Sequence, residues 1–150
     1  MKFQTIVQMK WLKELLTILC AFLFIYAATS KLLDFENFRA QIGQSPVLSA
    51  YADILALVVP IVELIIAAML ITKKLRLVGL LAFYILMVAF TAYIIVIMNF
   101  SDFIPCSCGG ILEKMGWGEH LVFNIIFCLI AFFLVMTLEV ENTIKKLRTH

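Results

Sequence analysis

The sequence predicts an all-α integral membrane protein, a bundle of four transmembrane helices with a short outer interfacial helix. Of its 150 residues, 64% are hydrophobic and 15% are charged, whereas a soluble domain has about 45–50% apolar residues. A small soluble core could not bury that excess, because most of its surface must remain wet. Four apolar segments reach the length of about 20 residues that a membrane-spanning helix needs. We predict one domain over residues 1–150, with spans at about 15–33, 51–72, 77–100 and 121–138.

The distribution of lysine and arginine predicts the topology. Four spans place both termini and the second loop on one side of the membrane. On that side lie Lys2, Lys10, Lys13, Lys73, Lys74, Arg76, Lys145, Lys146 and Arg148, and on the other lie Lys31, Arg39 and Lys114. By the positive-inside rule the termini are cytoplasmic. We therefore expect a multi-pass protein of a bacterial inner membrane, with its first and third loops in the periplasm. The net charge of +2 is small and dispersed, so we expect no nucleic-acid partner.

The first span has a second interpretation. Lysines precede its apolar run and small residues (27–29) follow it, as in a signal peptide. The long segment before the run favours a retained span.

A short helix is predicted between the first two spans. Asp34 is a suitable N-cap and Gly43 a suitable C-terminal stop. Phe35, Phe38 and Ile42 share one face at helical spacing, which indicates a helix lying on the outer surface with its apolar face down. These three residues are also a candidate partner-binding surface, and a plain loop is the alternative.

Glu63 is the ionisable residue predicted to lie deepest in the bilayer. A carboxylate there costs at least a few kcal/mol unless it is protonated or paired. Lys31, at the outer end of the first span, is the candidate cation. Glu63 lies about 14–19 Å below that end at about 1.5 Å per residue, which argues against direct pairing unless water or helix tilt helps. A polar contact between helices and a proton-relay or ligand role remain open for Glu63.

The third loop contains Pro105, Cys106, Ser107, Cys108 and two glycines. A disulfide between cysteines separated by one residue is strained, and strained, exposed disulfides tend to be catalytic or regulatory. Such chemistry needs a stabilised thiolate and a proton acceptor. We select His120 as the third candidate catalytic residue for that purpose.

His120, Asn124 and Cys128 are spaced by four and share one face of the fourth span. Asn124, with Glu63 and Lys31, is a candidate supporting residue.

Other interpretations of the cysteine loop remain open. Cys106, Cys108 and His120 with Glu119 or Asp102 could bind zinc, although the spacing matches no established zinc motif, or the cysteines could be structural. Cys20 and Cys128 are expected to be inert packing residues, with an inner relay pair as the alternative.

Four stretches together resemble the DoxX-like membrane proteins, and within them the MauE-type redox-associated branch. They are residues 30–33 (Ser-Lys-Leu-Leu), 60–63 (Pro-x-x-Glu), 105–110 (Pro-Cys-Ser-Cys-Gly-Gly) and 117–124 (Trp-Gly-Glu-His-Leu-Val-Phe-Asn). The resemblance covers about residues 12–140. It implies a bundle laid out like the quinone-linked thiol oxidoreductases of the vitamin K epoxide reductase and DsbB kind, and a link to disulfide formation in exported proteins. Those enzymes usually carry a Cys-x-x-Cys pair, which this chain lacks.

Two functional hypotheses follow. In the first, the protein is a thiol–disulfide oxidoreductase whose Cys106 and Cys108 exchange disulfides with an exported or periplasmic thiol protein, and a quinone is a candidate cofactor. In the second, it is a non-catalytic subunit of a membrane complex, or a chaperone, that docks a partner. A transporter ranks behind both, because Glu63 is the one ionisable residue expected deep in the bilayer.

Overall fold

The structure, a computed structural model, describes residues 2–45, 48–100 and 116–148. Its α-helices are α1 (Lys2–Leu33), α2 (Phe35–Gly43), α3 (Ala52–Ile71), α4 (Arg76–Phe100) and α5 (Trp117–Arg148). A single 3₁₀ turn, Ser49–Tyr51, leads into α3. The segment with Cys106 and Cys108 lies outside the described residues.

The predicted fold class is confirmed. Four helices of the described chain, all except α2, are long and apolar enough to cross a membrane. Only 28–33% of the most apolar window of each span is buried inside the protein. Large apolar side chains such as Leu15, Phe22, Ile54, Ile85 and Leu129 are exposed along the outside. Exposed apolar surface on this scale requires lipid rather than water around it, so the chain is a multi-pass membrane protein.

The four spans form an antiparallel bundle in which α1 packs on α3 and α5, and α4 packs on the same two helices. Phe24 of α1 and Phe83 of α4 meet at the centre, with ring centroids 4.3 Å apart. Around them lies a core of buried side chains that includes Cys20, Leu70, Leu80, Met87, Phe127 and Leu134. We call the end of the bundle where α1 ends and α3 begins the α2 end. The antiparallel arrangement brings the end of α4 and the start of α5 to this same end.

Helix α2 forms where the sequence predicted a short helix, and its apolar face lies on α3. Phe38 and Ile42 are each only 7% exposed and pack against Ala56. Outside this contact, Arg39 forms an ion pair with Asp53 of α3. Asp34 precedes the helix as expected, but it makes no side-chain capping bond to the backbone. Its carboxylate instead accepts hydrogen bonds from the Asn37 amide, at 2.8 and 3.0 Å.

At the opposite end of the bundle, Arg76 ties three spans together. Its Nη1 donates to Glu14 Oε1 of α1 at 3.0 Å, and its Nε donates to the Leu70 carbonyl of α3 at 3.3 Å. That carbonyl is one of the last four of α3, which have no partner inside the helix. Arg76 therefore fixes the short α3–α4 turn while joining it to α1.

Candidate functional site

The candidate site is a cavity of about 380 Å³ inside the α2 end of the bundle. All five helices contribute to its wall, which is largely aliphatic and aromatic. The aromatic residues are Phe24, Tyr26, Phe38, Phe90, Tyr93, Trp117 and Phe123. Lys31, Glu63, His120 and Asn124 also face the cavity. The candidate supporting residues and His120 thus come together from α1, α3 and α5.

Lys31 and Glu63 form a buried ion pair. Lys31 Nζ donates to Glu63 Oε1 at 2.6 Å, and the two side chains are 12% and 0% exposed. Charge-assisted hydrogen bonds of this length are stronger than neutral ones. The Lys31 ammonium group compensates the negative charge of the buried Glu63 carboxylate, and the ion pair joins α1 to α3.

The direct contact between Lys31 and Glu63 corrects the sequence-based expectation that the two residues lie at depths too different for pairing. The first turns of α3 pack beside α2, so counting from residue 51 overstated how far Glu63 lies below Lys31. Side chains of a helix also lean towards its N-terminus. Because α1 and α3 are antiparallel, Lys31 leans into the bundle and Glu63 leans towards the α2 end. The two side chains therefore converge.

Two aromatic rings flank the Lys31 ammonium group. Its nitrogen lies 5.7 Å from the ring centroids of Phe38 on α2 and Phe90 on α4. A cation within about 6 Å of a ring face is attracted by the ring quadrupole. Phe90 was not selected from the sequence. A phenylalanine in an apolar span carries no sequence signal that distinguishes it from a core residue.

His120 and Asn124 lie on one face of α5, as their spacing predicted, and the structure places this face against the cavity. Asn124 is only 4% exposed. Within the described part of the chain, the buried atoms without a hydrogen-bond partner at this cavity include Asn124 Nδ2, His120 Nδ1 and Glu63 Oε2. A buried donor or acceptor without a partner costs about 1–3 kcal/mol. Each such atom in a native structure therefore calls for an explanation, and a bound ligand or a role in a reaction is one.

The cost of the Asn124 amide leads to a prediction. Asn124→Leu preserves the branched shape of the side chain while removing the unpartnered donor, so we expect the free energy of unfolding to rise by about 1–3 kcal/mol. Denaturation in mixed micelles measures this change. The matched control is Asn99→Leu, because Asn99 is exposed and its amide donates to the Ile95 carbonyl at 2.8 Å. A loss of stability specific to Asn124→Leu would show that the amide is paired in the native protein.

The apolar face of α2 lines the cavity. Phe38 and Ile42 are buried wall residues, and Phe35 packs beside them. In this arrangement Phe38 and Ile42 are covered rather than presented to a partner. Their proposed docking role stays a prediction, and it would require α2 to leave α3.

Cys106 and Cys108 lie outside the described residues, so their predicted chemistry stays a prediction. Cys20 and Cys128 are free thiols, and Cys20 belongs to the fully buried core. Cys128 lies 3.7 Å from the Thr91 hydroxyl, between α5 and α4. The described residues contain no cluster of three or more histidine, cysteine or acidic side chains that could hold a metal ion.

The fold and cavity together define a class, a four-helix multi-pass membrane protein with a buried polar site at one end. The chain matches the family described as "Methylamine utilisation protein MauE" over residues 9–137. It belongs to this family, and the match supports the MauE-type part of the resemblance. The wider DoxX-like relationship stays a prediction. No curated protein and no solved structure matches the chain.

Proposed function

We propose that the protein is a membrane thiol–disulfide redox protein that helps to mature exported proteins of methylamine utilisation. The family description supplies the physiological setting. The cavity at the α2 end, whose apolar wall includes Lys31, Glu63, His120 and Asn124, is the observation that carries the proposal. Helix α4 ends and α5 begins at this end, so the chain between them, with Cys106 and Cys108, departs from and returns to the end that contains the cavity.

The proposed reaction is a two-electron exchange. One thiol of a partner protein attacks a Cys106–Cys108 disulfide, which forms a mixed disulfide and releases one of the two cysteines as a thiol. A second partner thiol then attacks the partner's sulfur in the mixed disulfide and releases the other cysteine. The partner gains a disulfide, while Cys106 and Cys108 become thiols by receiving two electrons and two protons. His120, in the first turn of α5, is the proposed proton acceptor and donor. Turnover then requires an oxidant that takes the two electrons and two protons, and membrane quinones are the class we propose.

The proposed location is the bacterial inner membrane with both termini cytoplasmic. The distribution of lysine and arginine supports this orientation. It places the α2 end and the Cys106–Cys108 segment on the periplasmic side, where disulfides form and persist.

Trapping of mixed disulfides tests the proposal. A single replacement, Cys106→Ser or Cys108→Ser, leaves one thiol, which can attack the disulfide of the oxidised partner and release one partner thiol. Because no second cysteine of the pair remains to displace the partner, we expect one of these variants to accumulate a covalent adduct with an exported protein. The double replacement should abolish it. Non-reducing electrophoresis of acid-quenched cells measures the adduct. Cys128→Ser is the matched control, because Cys128 lies within the bundle and should leave trapping unchanged.

Two outcomes would count against this function. One is the absence of any adduct in both single variants. The other is normal maturation of the exported protein by the double variant, which would favour a non-catalytic membrane subunit instead.

A further inference from the structure

We propose that the cavity at the α2 end binds a neutral, ring-bearing molecule with carbonyl oxygens, of the membrane-quinone class, and that His120 and Asn124 receive its polar head. The redox use of such a ligand rests on the proposed function, whereas its binding does not. Four properties of the cavity support this assignment: its size, its walls, its charge and its unpartnered polar atoms.

The size and the walls fit a ring. A volume of about 380 Å³ falls within the range of about 300–1,000 Å³ that is usual for small-molecule sites. Aromatic side chains from α1, α2, α4 and α5 line the space. Aromatic surfaces pack favourably against flat rings in stacked or edge-on contacts. The walls therefore favour a ring over a flexible chain.

The charge of the cavity selects a neutral ligand. Among its described lining residues, Lys31 and Glu63 carry the full charges, and they neutralise each other at 2.6 Å. A phosphate or carboxylate group in the cavity would need a cation of its own, since burying an unpaired charge is costly. Lipid headgroups with phosphate are therefore a poor fit.

The polar atoms without a hydrogen-bond partner favour a ligand that carries oxygen atoms. Asn124 Nδ2 is a donor, and His120 Nδ1 can donate or accept. A carbonyl oxygen accepts from either group, and a hydroxyl can donate to His120 as well. A lipid acyl chain could fill the apolar volume, but it would leave both atoms without partners. A ring with carbonyl oxygens therefore suits the walls of the cavity and can accept hydrogen bonds from Asn124 Nδ2 and His120 Nδ1.

Tryptophan fluorescence provides a direct test. The chain has two tryptophans. Trp117 lines the cavity, and Trp11 is 74% exposed on α1. Trp11→Phe therefore leaves one reporter at the site. We expect a short-chain benzoquinone, added to the purified protein in micelles, to quench Trp117 emission in a saturable manner.

Substitutions at the cavity should weaken this saturable quenching. Asn124→Leu removes one hydrogen bond, so we expect the dissociation constant to rise about tenfold. Val59→Phe places a phenyl ring in the cavity from the α3 side, so it should reduce binding at least as much. It serves as the second variant if Asn124→Leu is poorly folded. Asn99→Leu, at an exposed position, should bind like the parent protein.

Three outcomes would overturn the assignment. Quenching that is linear and equal in all variants would show that the quinone only partitions into the micelle. Strong quenching by a lipid with brominated acyl chains, unaffected by quinone, would show that lipid occupies the cavity. Absence of quenching at saturating quinone would exclude binding near Trp117.

Binding that survives in the Cys106→Ser, Cys108→Ser double variant while no mixed disulfide forms in the single variants would remove the proposed function and leave the ligand site intact.

Discussion

Replacing Lys31 with methionine should lower the free energy of unfolding by about 3–5 kcal/mol, the range expected when a buried ion pair loses one partner. The Glu63 side chain is fully buried, so its carboxylate would be left buried without its cation. Methionine keeps most of the length of lysine, and the packing against Phe38 and Phe90 should largely survive. The measured loss would therefore be mainly electrostatic. Denaturation in mixed micelles is the measurement.

The double replacement Lys31→Met, Glu63→Met should recover most of that loss. Two apolar side chains leave no uncompensated charge, and such exchanges of buried pairs are often neutral or stabilising. The double-variant cycle then isolates the coupling between the two residues. A recovered fold with lost quinone binding would show that the pair is retained for the site rather than for stability.

The exposed pair Arg39–Asp53 is the matched control. Its side chains are 47% and 76% exposed, and exposed pairs typically contribute about 0–1 kcal/mol. Arg39→Met should therefore have a small effect. Equal losses for Lys31→Met and Arg39→Met would contradict the burial of the Lys31–Glu63 pair.

Gly79, at the crossing of α4 and α3, is the second position where a large effect is expected. A Cβ atom at this residue would lie 3.0 Å from the backbone nitrogen of Leu70, and the α3 backbone cannot yield as a flexible side chain would. We expect Gly79→Ala to destabilise the protein by about 1–3 kcal/mol, as overpacking commonly does, and Gly79→Leu to destabilise it further. The midpoint of thermal unfolding in detergent measures both variants.

Gly118 provides the comparison, because a Cβ at this position in α5 would meet no atom of the described residues within 4 Å. Gly118→Ala should be neutral or slightly stabilising, since alanine favours a helix over glycine. If Gly79→Ala behaves like Gly118→Ala, the α3–α4 crossing is looser than the structure indicates.

Much of the fold could be predicted because membrane insertion acts on local properties of the chain. The four apolar segments require a span almost independently of their neighbours. The spacing of Phe38 and Ile42 indicated a helix with one apolar face. The spacing of His120 and Asn124 likewise placed both on one face of α5. In each case the information lies within one or two helical turns.

The contacts between helices could not be predicted in this way. The sequence singled out Lys31 and Glu63 separately, but counting residues along each span argued against their contact. Phe90 and the burial of α2 against α3 had no local signal, because any apolar residue suits either lipid or core. Within a bilayer both environments are apolar, so hydropathy does not say which face of a helix meets protein.

The sequence by itself determined that this chain has four segments long and apolar enough to cross a membrane, and it singled out Lys31, Glu63, His120 and Asn124 as candidates. The tertiary structure alone decided that Lys31 and Glu63 pair, that α2 closes one wall of a cavity, and that His120 and Asn124 turn unpartnered atoms into it. The physical reason is the distance along the chain over which each property is determined. Partition of a segment into lipid depends on its own composition, whereas an ion pair, a ring contact or a cavity depends on how helices distant in sequence lean and pack together.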